Sequence, residues 1–157
     1  MCLIIDANLA SRAFSQPPHR DFRPVVDWLT LPRYNGRLVV GGKLSAELFK
    51  LETARKFLVR LNQAGRARVI ADKSLEPETH AIASRCRSND HHVIALARVG
   101  GARLLCSHDK KLHSDFTNPE LISDPKGRIY QTAEHAHLLR QFGHTKACRG
   151  ALRAGRK

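Results

Sequence analysis

The chain has 157 residues, 42% of them apolar and 26% charged, with 27 Lys and Arg against 14 Asp and Glu for a formal net charge of +13. That length buries a core without disulfides or a structural metal, and the composition excludes a disordered or fibrous chain. A cationic excess far above what solubility needs points to a polyanionic partner, nucleic acid before an acidic protein or a merely solubilising surface.

The opening Cys2-Leu3-Ile4-Ile5-Asp6 is a short apolar run ending in an acid, which predicts a central parallel strand with Asp6 at its carboxyl tip. It is too short for a signal-peptide core and has no basic start. A short helix is expected from Asn8 to Phe14, then a loop broken by Pro17 and Pro18, then a helix started by Pro24. The turn Asn35-Gly36 leads to a second strand, Arg37 to Gly41, and the pair Gly41-Gly42 swings the chain into a helix. From Lys43 to Ala64 apolar residues recur at three- and four-residue steps, the mark of one or two amphipathic helices, with Glu47 just after the start. Gly65 is a stop, Ala67 to Ala71 a third strand, and Leu75 to Arg87 another helix. The stretch SNDHHVIALARVGG reads as a helix with Asp90 at or near its N-cap and Gly100-Gly101 at its end. Ala102 to Ser107 is a fourth strand, followed almost at once by Asp109. Gly127 to Gln131 is a fifth strand and Ala133 to Gln141 a last helix.

The alternation predicts one α/β domain over residues 1–142, a three-layer α/β/α sandwich on a central, mainly parallel sheet of four to five strands. Residues 143–157 hold five cations and no acid, so a flexible basic tail is expected, leaving +8 on the body. Cys2, Cys86, Cys106 and Cys148 form no CxxC pair, which favours reduced, mostly buried thiols over a zinc site or a disulfide framework. With no membrane-spanning run, the expected location is cytoplasmic.

In an open parallel sheet the working crevice lies outside the carboxyl ends of the strands, where strand order reverses. Asp6 and Asp109 fall there by position, Asp90 begins the helix feeding the fourth strand, and Glu47 comes early on the helix after the second. Carboxylates crowded without cations repel one another, and a divalent ion relieves that cost. Oxygen-only donors suit Mg²⁺ or Mn²⁺, ions that activate water for in-line attack on a phosphodiester. Nuclease chemistry inside a basic body follows, with Lys43, Lys110, Lys111, Lys146, Arg149 and Arg153 as candidate phosphate contacts.

MCLIIDANL, the Glu47 of GGKLSAEL, SNDHHVIALARVGGARLL and SHDKKLHSDF resemble, in order and spacing, the successive signature segments of PIN-domain proteins, from residue 1 to about Phe116. The resemblance implies a four-acid metal site of Asp6, Glu47, Asp90 and Asp109, with Asn8 and Ser107 as polar support and RNA as substrate. It also implies, as in many relatives, a toxin nuclease with a cognate antitoxin, or an RNA-processing enzyme. GGKLSAEL departs from the Ser- or Thr-rich lead that many members have before this acid.

Competing readings stay open at this stage. Asp6 and Asp90 also suit simple helix caps, Glu52 rivals Glu47, Asp109 suits a turn, and Asp115 is either an outer supporting acid or a helix-surface charge. His91, His92 and His108 are read as surface or RNA-contacting residues, and Ser107-His108-Asp109 is no hydrolase triad, since triad members come from separate segments. A non-catalytic RNA-binding module and a DNA or flap-type nuclease are the rival functions, and a homodimer is compatible with the sequence.

Overall fold

A computed structural model of the protein describes residues 2–140 together with Cys148. β1 (Cys2–Ile5) carries four apolar side chains, all fully buried, as a strand with neighbours on both sides and helices on both faces requires. Around it the five-stranded sheet runs in the order β3-β2-β1-β4-β5, with β2 (Arg37–Gly41), β3 (Ala67–Ile70), β4 (Ala102–Cys106) and β5 (Arg128–Tyr130). Every pairing is parallel, and Leu3 stands opposite both Leu38 and Leu104. β3 is an edge strand, and its Val69 is 63% exposed.

The connections are α1 (Ala10–Ala13), α2 (Arg23–Thr30), α3 (Gly42–Phe49), α4 (Glu52–Gln63), α5 (Asp72–Ile82), α6 (His91–Gly100) and α7 (Lys110–Phe116). The chain first winds from β1 out to β3, then returns past β1 to β4 and β5, and right-handed crossovers, the rule for parallel strands, put helices on both faces of such a sheet. α1, α2 and α4 gather on one face, where Phe14 stacks on Phe57 at 4.6 Å. α6 lies across the sheet centre on the other, with α5 packed against it. Val93 to Ala97 are all buried, so α6 presents apolar surface around most of its girth. Gly101 closes it in the left-handed region (φ 74°), where a side chain would be strained.

The three-layer α/β architecture agrees with the sequence reading, and the differences are local. The run from Lys43 to Ala64 is two helices, broken at Lys50-Leu51. The helix placed at 75–87 begins at Asp72 and ends in a 3-10 turn at Ala83–Arg85. The last helix is a 3-10 segment, Ala133–Leu139, secured by a capping box between Thr132 and His135. α7 went unread as an element because its seven residues are too few for a periodic signal; it exists because Asp109 caps it.

The cysteine reading is corrected. Cys2 and Cys148 form a disulfide across a sequence separation of 146, with Cα atoms 6.1 Å apart. Spacing along the chain does not report spacing in a fold that brings a late segment back to the first strand. Cys86 and Cys106 are free thiols, and complete burial pushes the Cys106 pKa up. Apart from Cys148, the segment 143–157 lies outside the described residues, and with it Lys146, Arg149 and Arg153. Among the described residues no helix is long and apolar enough to cross a membrane.

Candidate active site

Strand order reverses between β1 and β4, and the carboxyl ends of these two strands carry the first acid and its support. The Asp6 backbone N–H donates to the Cys106 carbonyl at 2.9 Å, prolonging the β1–β4 ladder by one residue. The Asp6 side chain is only 8% exposed, and its Oδ2 accepts from Ser107 Oγ at 2.8 Å. That hydroxyl, fully buried, also accepts from the Asp109 backbone N–H at 3.1 Å, so one serine ties both aspartates together. His113 holds the Ser107 carbonyl from α7.

Burial pushes the Asp6 carboxyl above its ordinary range; the Ser107 hydrogen bond partly offsets this, and repulsion from Asp90 and Asp109 adds to the rise. Among the described residues no ion pair reaches Asp6, Glu47, Asp90 or Asp109. An aspartate buried beside two like charges with no cation is a costly arrangement for a fold to keep without a use for it.

Asp90 occupies the N-cap position of α6, yet its side chain makes no capping hydrogen bond. Its backbone N–H donates to Ser88 Oγ at 3.0 Å, and the loop before it is held by Asp115. Asp115 is 2% exposed and accepts from the Arg87 N–H at 2.9 Å and the Ser88 N–H at 2.8 Å. Both its oxygens are thus committed to the loop that carries Asp90. Asp109 caps α7 through one oxygen, Oδ1, which accepts from the Lys111 and Leu112 N–H groups. Asn8 is exposed in the 3-10 turn after Asp6, and among the described residues no hydrogen bond joins it to the acids.

Glu47, half-buried on α3, acts on His92, which Asp90 and Asp6 also influence. Burial lowers the His92 pKa, while Asp90, Glu47 and Asp6 pull it up and Lys43 pushes it down. His92 therefore sits among three of the four acids, a placement the sequence reading set aside. The available signal was helical spacing: His92, Ala95 and Leu96 share one face of α6, and the latter two are fully buried. Lys43, Lys110 and Lys111 are exposed around this edge. Beside it lies a cavity of about 440 Å³ lined by Gly42, Lys43, Asp72, Glu76 and His92.

The donor set suits a hard divalent ion in charge and in chemistry, four carboxylates and one neutral-leaning imidazole with no resident cation. Among the described residues no three His, Cys, Asp or Glu side chains already meet at metal-binding spacing. Mg²⁺ keeps several of its waters and takes only one or two carboxylates directly, so a closed cage is not required of such a site. Fold and edge together define a parallel α/β protein with Asp6 and two neighbouring aspartates at its switch point. No family model, no curated protein and no solved structure matches this chain.

Proposed function

We propose that the chain is a Mg²⁺- or Mn²⁺-dependent endoribonuclease of the PIN-like kind, cutting RNA at the edge formed by Asp6, Glu47, Asp90 and Asp109. The observation that carries this reading is Asp6: buried, raised in pKa, next to two more aspartates, and without a cation. A divalent ion, when bound there, activates water and neutralises charge on the phosphodiester. The protein's own part is positioning. Ser107 fixes the Asp6 carboxylate, Asp115 fixes the loop of Asp90, and capping of α7 fixes Asp109. Exposed Lys43, Lys110 and Lys111 supply phosphate contacts, and the adjoining cavity gives room for a substrate nucleotide. The order of the acid-bearing segments, similar to that of PIN-domain proteins, supports RNA over DNA and allows a cognate antitoxin or a homodimer. A cytoplasmic setting belongs to this reading, and in a reducing compartment Cys2 and Cys148 would be thiols.

The absence of three donors at metal-binding spacing among the described residues favours one rival, a non-catalytic RNA-binding module. Incubating the protein with a mixed RNA pool and Mn²⁺, with and without a chelator, separates the two. Cleavage that needs Mn²⁺ and drops by orders of magnitude in Asp6→Asn is the expected result. Binding without metal-dependent cleavage, or an Asp6→Asn protein that cuts like wild type, sinks the nuclease reading.

A further inference from the structure

A second basic feature is a groove of about 370 Å³ between α2 and the 3-10 segment Ala133–Leu139, lined by none of the four acids. Its walls carry Arg20, Arg23, Arg33 and Arg140, all exposed, with Tyr34 half-buried between the last two. The Arg33 guanidinium lies 5.1 Å from the Tyr34 ring centroid and that of Arg140 6.0 Å, while Arg140 also donates to the Tyr34 hydroxyl at 3.4 Å. Asp27 is the single acid lining the groove, and among the described residues it forms no ion pair with any of the four arginines. Four guanidinium groups against one carboxylate leave the groove strongly positive.

We propose that this groove is a binding track for single-stranded RNA, with the arginines on successive phosphates and Tyr34 as a stacking platform. The proposal deepens the nuclease reading and rests on it for the choice of RNA. Three features favour this occupant. Like charges gathered in one groove repel unless a polyanion bridges them. All four cations are arginine, whose planar fork meets phosphate oxygens in pairs and lies flat on bases, which lysine does not. An aromatic ring set among cations is the arrangement that single-strand binders use, where base stacking adds affinity without sequence preference. The chain's own C-terminal segment is a poor occupant, because after Phe142 it holds five cations and no acid.

The test uses the full chain and a 5′-fluorescein oligouridylate of about twelve nucleotides, read by anisotropy in EDTA so that no cleavage occurs. Arg23→Gln/Arg33→Gln/Arg140→Gln should weaken binding by about tenfold or more at low salt and lower the salt slope by about 2, since each single-strand phosphate contact contributes about 0.7. Tyr34→Ala should weaken it by about tenfold while leaving the slope unchanged. Arg33→Lys, which keeps the charge and cannot disturb the fold through charge loss, should keep the slope and lose affinity. Unchanged affinity and slope in the triple variant overturn the proposal. So does groove-dependent binding of a polyglutamate peptide beside groove-independent binding of the RNA, which would make this an acidic-protein surface. Loss of the nuclease reading shows differently, as groove-dependent binding of RNA that Mn²⁺ never converts to cleavage.

Discussion

Asp115→Ala tests whether the acid edge is held from behind. In the folded chain this carboxylate is 2% exposed and accepts two backbone hydrogen bonds, from Arg87 and Ser88, at 2.9 and 2.8 Å. A hydrogen bond to a charged group is worth about 1.5–3 kcal/mol, and truncation leaves both amides without their partner, so the loss is about 3–6 kcal/mol. In a domain of this size each kcal/mol moves Tm by about 2–4 °C, so a fall of about 6–24 °C is expected in thermal unfolding followed by circular dichroism. Asp115→Asn keeps one acceptor oxygen and should lose at least half as much. The loop it secures delivers Asp90, so Mn²⁺ affinity, read by calorimetry below the melting range, should fall in both variants. Asp90→Asn should weaken Mn²⁺ without lowering Tm, because the Asp90 side chain makes no capping bond. An Asp115→Ala protein melting within about 2 °C of wild type would refute the clamp.

Other outcomes follow from the same contacts. Without metal, Asp6→Asn should raise Tm at neutral pH, because the folded-state pKa of Asp6 is raised by burial and by Asp90 and Asp109, so its ionised form opposes folding. That advantage should vanish as pH falls below the ordinary value of 3.8, where the aspartate is protonated in both folded and unfolded chains; an advantage independent of pH would be incompatible with the assignment. Mn²⁺ binding needs Asp6 as carboxylate, so affinity should decline on acidification at a higher pH than an unperturbed aspartate dictates, and a titration breaking only near 3.8 would contradict this. Reduction of the Cys2–Cys148 disulfide, which spans 146 residues, should cost up to about 5 kcal/mol and lower Tm by roughly 10 °C; equal melting with and without reductant would show that the bond adds no stability.

The sheet was legible because its strands are short apolar runs between turn residues, and a run such as CLII has no other comfortable place than the buried centre of a parallel sheet. With the strands placed along the chain, Asp6 and Asp109 fell at carboxyl ends by position, and their adjacency followed from the pairing of β1 with β4. What stayed hidden depends on contacts distant in sequence. Asp115 was read as a supporting acid or a helix-surface charge, but the groups it supports, the Arg87 and Ser88 N–H, lie 28 and 27 residues away and could not be named from the sequence. His92 was set aside because neighbouring residues on a helix point apart; that rule is sound, and it also allows one of two adjacent histidines to face inward. Cysteine spacing misled for the same reason, since the Cys2–Cys148 pair joins the two ends of the chain.

Electrostatics divides the molecule into two regions with opposite needs. Burial first, and then repulsion from Asp90 and Asp109, raise the pKa of Asp6 within a chain of net charge +13, so these local causes outweigh the surrounding positive field. A field that attracts a polyanion from a distance is of use to a nuclease only if the cations stop short of the acids, and here the exposed Lys43, Lys110 and Lys111 stand at the rim without forming ion pairs to them among the described residues. Had a lysine paired with Asp6, the carboxylate would be ionised and stable, yet its affinity for a divalent ion would be spent on that partner. Substituting such a partner, Ser107→Lys, should therefore abolish Mn²⁺ binding more completely than Ser107→Ala, which removes the 2.8 Å hydrogen bond that orients Asp6 and the acceptor of the Asp109 N–H but introduces no cation. Equal residual Mn²⁺ affinity in two folded variants would mean that the metal does not use Asp6 at all.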